Sequence, residues 1–156
     1  MKAVFPGSFD PPTLGHLNII ERASGIFDEF VVLVAENRQK KYLFTLEERL
    51  DMVQKIVKGE NIRCASWDSL VADFMKKEGI RVLIRGIRGI ADFSHEFELS
   101  TMNKALYPDI ETLFLTTDSR FSVLRSSSIK EIASFHGDVS QMVPPFVRDA
   151  LKKKFA

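Results

Sequence analysis

Phe5-Pro6-Gly7-Ser8-Phe9-Asp10-Pro11-Pro12-Thr13-Leu14-Gly15-His16 is the stretch whose reading decides the fold. It leaves a short apolar run, Ala3-Val4-Phe5, and ends by opening an amphipathic helix. Two glycines and three prolines make its backbone permissive in one place and restricted in the next. A strand-to-helix connection of this kind aims backbone N–H groups and an imidazole at whatever lies above the strand. A helix N-terminus beside a cation is suited to phosphate, so the loop is expected to hold a nucleotide.

The rest of the chain tests that expectation. Its 156 residues, 45% apolar and 28% charged, have the size and composition of one ordinary globular domain, residues 1–156. A net charge of +1 excludes a strongly basic, duplex-coating surface, so no nucleic-acid partner is expected and anion binding must come from locally placed cations. The chain opens directly into a strand with no signal segment and no run of membrane-spanning length, which points to a cytoplasmic protein without a membrane partner. Its one cysteine, Cys64, and three histidines make a poor metal cage, and Cys64 reads as an inert thiol in a strand.

Outward from the opening loop, strands and helices alternate. Lys2–Phe5 reads as a first strand, and Leu17, Ile20, Ala23 and Phe27 recur at helical spacing after Leu14. Phe30–Ala35 is a continuous apolar run, the mark of a strand covered on both faces. A polar basic loop, residues 36–43, precedes a helix capped by Thr45 and Glu48 and lined by Leu46, Leu50, Val53 and Val57. Gly59 is expected to stop it. Asn61–Ala65 is a third strand, and Leu70, Val71, Phe74 and Met75 mark a helix stopped by Gly79. Arg81–Ile84 is a fourth strand, followed by the loop Arg85-Gly86-Ile87-Arg88-Gly89.

A long helix then runs from Ala91 to Leu106; Phe97, Leu99, Met102 and Leu106 are expected in the core by default, a subunit contact being the alternative if they are exposed. Glu111–Thr116 is a fifth strand. Ser128 with Glu131 reads as a second capping box, and Pro144 or Pro145 starts the last helix. The expected fold is α/β: a Rossmann-like, doubly wound five-stranded parallel sheet with helices on both faces. In such sheets ligands lie at the C-terminal strand ends where strand order reverses. The Gly-rich and basic loops follow strands one, two and four, at those ends.

Neither a dinucleotide fingerprint nor a P-loop follows strand one. The candidate cations are His16, Arg38, Lys40, Lys41, Arg85 and Arg88. The Lys40-Lys41 pair alone would read as solvated loop, and a lone histidine as structural. Arg85 and Arg88, flanking a glycine at a strand end, suit bidentate phosphate recognition.

Thr13-Leu14-Gly15-His16 resembles the (H/T)-x-G-H signature of the nucleotidyltransferase superfamily. Ser126-Ser127-Ser128-Ile129-Lys130 resembles its second signature, I-S-S-T-x-x-R. With Pro6–Pro11, Phe44–Arg49 and Arg85–Arg88 plus Asp92-Phe93, the chain resembles bacterial phosphopantetheine adenylyltransferases nearly end to end. The resemblance implies that ATP and 4′-phosphopantetheine give dephospho-coenzyme A and pyrophosphate, with Mg²⁺ accompanying ATP. It also implies a homohexamer with coenzyme A as a feedback ligand.

Carried over by matching positions, the catalytic residues would be His16, Lys40 and Arg88, with His16 stabilising the transition state. ATP would meet Ser8, Phe9, His16, Gly86, Ile87, Arg88, Glu96 and the segment Phe121, Ser122, Val123, Leu124, Arg125, Ser126 and Ser127. Phosphopantetheine would meet Ser8, Lys40, Val71 and Arg85. No metal-ligating residue is assigned. The sequence departs from the family pattern at four places. Ser8 stands where threonine is usual, Lys130 where arginine is frequent, Arg125 where a serine is common, and His95 where an aromatic is frequent.

The reaction suits these residues. The attacking phosphate is already ionised, and magnesium-bound pyrophosphate leaves readily, so positioning and charge stabilisation suffice. Two other readings stay open on sequence. One is a sibling enzyme acting on nicotinamide mononucleotide or a phosphorylated polyol, and the other is a nucleotide-binding module without catalysis.

Overall fold

The computed structural model, describing residues 1–156, holds five parallel strands in the order β3-β2-β1-β4-β5. The strands are β1 (Lys2–Gly7), β2 (Glu29–Ala35), β3 (Ile62–Trp67), β4 (Val82–Ile87) and β5 (Glu111–Thr116). The helices are α1 (Leu14–Ser24), α2 (Leu46–Ile56), α3 (Val71–Glu78), α4 (Ile90–Leu106), α5 (Ser126–Ser134) and α6 (Pro145–Lys154). The chain winds outward through β2 and β3, then returns across β1 to β4. Strand order therefore reverses between β1 and β4, as the doubly wound reading requires.

Successive strand residues face opposite sides, so each apolar strand feeds two cores. Ala3 and Phe5 of β1, with Phe30, Val32 and Val34 of β2, pack under α1 and α2. Val4, Val31 and Leu33 face the other way, onto Ala72, Phe74 and Met75 of α3. A third cluster joins Phe44 and Met52 to α5 and α6 through Ile129, Val143, Val147 and Leu151. Gly79 closes α3 at φ 65°, where only glycine is unstrained, and its N–H reaches the carbonyls of Lys76 and Met75.

Several boundaries differ from the periodicity reading. α1 stops at Ser24, and Phe27 is buried from the following turn. α2 ends at Ile56 with Val57 as its cap, so Gly59 lies in the turn beyond rather than at the stop. β3 extends to Trp67, and Leu70 is the exposed N-cap of α3 rather than part of its apolar face. β4 continues through Arg85, Gly86 and Ile87, so these are strand residues paired with Phe114, Leu115 and Thr116. α5 begins at Ser126 behind Arg125, which makes no side-chain cap, and the Ser128–Glu131 box does not form.

The largest correction concerns α4, which buries no residue. Phe97, Met102 and Leu106 are 55%, 63% and 56% exposed, not core. Phe93 holds the helix to the sheet by an edge-to-face contact with Phe114, ring centres 5.4 Å apart.

Candidate active site

The reversal between β1 and β4 opens into a cavity of about 1190 Å³. Its walls come from the β1–α1 loop, the 36–44 segment after β2, the start of α3, the end of β4, α4 and the segment before α5. Ser8, Phe9, His16, Lys40, Val71, Arg85, Gly86, Arg88, Glu96, Phe121, Leu124, Arg125, Ser126 and Ser127 all line it. Ile87, Ser122 and Val123 do not, and Val123 is exposed.

His16 is set by its own helix start. Thr13, the N-cap of α1, accepts the His16 N–H through Oγ1 at 3.3 Å. The Thr13 N–H in turn donates to His16 Nδ1 at 3.0 Å. This is a capping box in which histidine replaces the usual Glu or Gln. An Nδ1 that accepts leaves the proton on Nε2, so the ring is a donor on its other edge. Desolvation first, then the charges of Arg88 and Arg85, lower its pKa from 6.5 to about 4. His16 is thus a neutral donor, not the cation its sequence position suggests.

Phe9 packs its ring edge-on to the imidazole, 5.0 Å between centres, and is itself buried. Its φ of 50° is a left-handed conformation that a bulky residue adopts only when its neighbours enforce it. Enforcement comes from both sides. On one, the Ser8 carbonyl accepts from Arg49 Nη1 at 2.8 Å. On the other, the buried Asp10 carboxylate accepts the N–H groups of Leu43 at 3.0 Å and Phe44 at 2.9 Å, and pairs with Lys130 at 2.7 Å. Ser126 Oγ adds a bond to the Pro11 carbonyl at 2.9 Å.

The two arginines are not free. Arg85 meets Glu96 in a two-bond fork at 2.5 and 2.6 Å and donates to the Pro6 carbonyl at 3.0 Å. Arg85 and Glu96, assigned to different ligands from sequence, therefore hold each other in the structure. Arg88 bonds Asp92 at 2.9 Å and the Leu124 carbonyl at 2.7 Å, tying the start of α4 to the segment before α5. The Asp92 carboxyl is desolvated, but the bonds and charge of Arg88 outweigh this and hold it below its usual range. Lys40 and Arg38 are exposed at the cavity rim without a carboxylate partner.

Sequence reasoning gave no role to Asp10, Arg49 or Asp92. A signal existed for Arg49: it falls on the apolar stripe Leu46, Leu50, Val53, where a charge needs partners. Asp10 offered less, because its partners lie 33, 34 and 120 positions away.

A family model described as cytidylyltransferase-like matches residues 4–132. A phosphopantetheine adenylyltransferase from Dictyoglomus thermophilum is 49% identical over 156 residues, covering 99% of this chain and 95% of its own. One from Heliobacterium modesticaldum is 47% identical, covering 98% and 92%. Among solved structures, a Plasmodium falciparum nicotinic acid mononucleotide adenylyltransferase complexed with NaAD superposes with a TM-score of 0.71. It covers 97% of this chain and 94% of its own at 16% identity, a likeness of fold.

Proposed function

The chain belongs to the phosphopantetheine adenylyltransferase family, and from that premise we propose that it moves the AMP group of ATP onto 4′-phosphopantetheine. A phosphate oxygen of the acceptor bonds to the α-phosphorus, the bond to the bridging oxygen breaks, and its electron pair leaves with pyrophosphate. The observation that carries this reading is one cavity holding a neutral histidine donor, a free lysine at its rim and two arginines. At about 1190 Å³ it exceeds the roughly 300–1,000 Å³ of a pocket for one drug-sized ligand, as two substrates require.

In this reaction His16 Nε2–H would donate to a non-bridging oxygen of the α-phosphate as its charge grows, with no proton transferred. Lys40 would offset the repulsion between two polyanions from the acceptor side. The structure's residues do not fit a protein-held Mg²⁺. No group of three or more His, Cys, Asp or Glu side chains stands together, and Asp10 already has its partners. Mg²⁺ is proposed to arrive on the phosphates of ATP, and no step here runs through it.

Pyrophosphate release, assayed with phosphopantetheine, nicotinamide mononucleotide and glycerol phosphate in turn, tests the reading. Release is expected with the first alone, and release with none would identify a binding module. Lys40→Ala should raise the KM for phosphopantetheine about tenfold while leaving that for ATP within about twofold. A loss confined to ATP would contradict the assignment.

A homohexamer and feedback by coenzyme A belong to the same proposal. The bare apolar face of α4 supports a subunit contact, since exposed patches of that kind are rare on monomers. Coenzyme A would enter the acceptor side of the cavity by the arm it shares with the substrate. Sedimentation equilibrium and initial rates with added coenzyme A check the two, a monomer or an unaltered rate being the adverse result. No helix is long and apolar enough to cross a membrane, and a cytoplasmic location is proposed with the function.

A further inference from the structure

Arg49 has no exposed surface, yet it sits on the core-facing stripe of α2. Its Nε donates to the Phe44 carbonyl at 3.3 Å. Its Nη1 donates to the carbonyls of Ser8 at 2.8 Å and Ala35 at 3.3 Å, and its Nη2 to Glu36 Oε1 at 2.6 Å. The Tyr42 ring covers the guanidinium at 3.9 Å, and the Tyr42 hydroxyl accepts the Asn37 N–H at 2.7 Å.

These contacts have a pattern. Ala35 and Glu36 begin the segment that carries Lys40, Tyr42 and Phe44 end it, and Ser8 lies in the β1–α1 loop. One planar group therefore grips both ends of the Lys40 segment and binds them to the reaction loop. Stability alone does not call for this, since a buried ion pair is commonly no better than a well-packed apolar side chain. A flexible ammonium could not make the same four bonds, because they radiate in the fixed plane of a guanidinium.

We propose that Arg49 is a positioning residue for the acceptor side of the reaction. It sets the base of the 36–44 segment against Ser8, so that Lys40 is presented over the cavity rather than free in solvent. The proposal rests on the adenylyltransferase reading and on the role of Lys40 within it.

The test is a double-variant cycle in the full-length enzyme, with each substrate varied separately. Arg49→Met should raise the KM for phosphopantetheine about tenfold, with that for ATP changed less than about twofold. In a Lys40→Ala background the same substitution should add less than about twofold, because the residue through which it acts is gone. Arg49→Lys, which keeps the charge but not the fork, should recover only part of the loss. Equal rises in both constants, or full additivity with Lys40→Ala, would show a merely structural arginine.

If Arg49→Met does not fold, Tyr42→Leu removes the stacking face from the outside. It should raise the phosphopantetheine constant roughly two- to fivefold, and only where Lys40 is present. An unaffected Tyr42→Leu enzyme would then overturn the proposal. Lys40→Ala with an unchanged constant would instead refute the role of Lys40 itself, and wild type inactive on phosphopantetheine would refute the functional reading.

Discussion

His16→Ala should lower turnover by roughly 10²–10³, with a smaller change in the KM for ATP. The expectation follows from the capping box: Thr13 fixes Nδ1 as acceptor, so Nε2–H is aimed before any substrate arrives. A donor held this way needs no reorganisation when charge develops, and its loss falls on the transition state. His16→Gln, with an amide donor on a different frame, should recover only part. Steady-state turnover decides it, and an unchanged rate for His16→Ala would remove the histidine from the chemistry.

The same residue carries a pH signature. Its folded pKa of about 4 lies below the ordinary 6.5, so between those values the unfolded chain binds the extra proton. Stability from this source is fully present above pH 6.5 and is lost as pH falls towards 4, by up to about 3 kcal/mol. Chemical denaturation of wild type and His16→Ala across pH 4–7 measures it. The stability difference between them should shift against wild type as the medium is acidified, and parallel curves would contradict the neutral, desolvated ring.

Asp10→Ala should destabilise the fold by roughly 3–5 kcal/mol, the cost of leaving a buried ion pair and its hydrogen bonds broken. Asp10 gathers the N–H groups of Leu43 and Phe44 from one segment and Lys130 from α5. Removing it orphans two N–H donors and strands an ammonium that is itself only a quarter exposed. For a chain of this size the melting temperature should fall by about 6–20 °C. Asp10→Asn, which keeps an acceptor but no charge, should fall between. A shift of less than about 2 °C for Asp10→Ala would mean that the three elements are held by their apolar contacts alone.

Phe9 explains why activity should suffer along with stability. Its left-handed backbone lies between the Ser8 carbonyl held by Arg49 and the Asp10 carboxylate held by Lys130. Loosening either side lets Phe9 relax, and its ring is what rests against His16.

Much of this architecture was legible in the residues. The alternation of apolar strands with amphipathic helices, the Thr45–Glu48 box and the Gly79 stop are local, and local rules suffice for them. α4 misled because periodicity reports an apolar face without saying what it faces. Met102 and Leu106 stand four residues apart, at helical spacing, yet both are more than half exposed. The Ser128–Glu131 box failed because the helix starts three residues earlier, behind Arg125, with Ser126 turned to the Pro11 carbonyl instead.

By itself the sequence determined the strands, the helices between them and the loops at the strand ends, because each depends on residues a few positions apart. It also carried the Thr13–His16 spacing, three residues within one helical turn. Only the tertiary structure decided the state of the charges. Arg85 finds Glu96 across β4 and α4, Arg49 finds Ser8, and Asp10 finds Lys130, 120 residues on. Those pairings arise when β1 and β4 become neighbours and the helices fold over them. Apart from Asp92, which meets Arg88 four residues away, each of these carboxylates finds its partner by distance in space, which no spacing along the chain encodes. That is why the same arginines look free in the sequence and are paired in the fold, while Arg38 and Lys40 keep the openness their loop suggested.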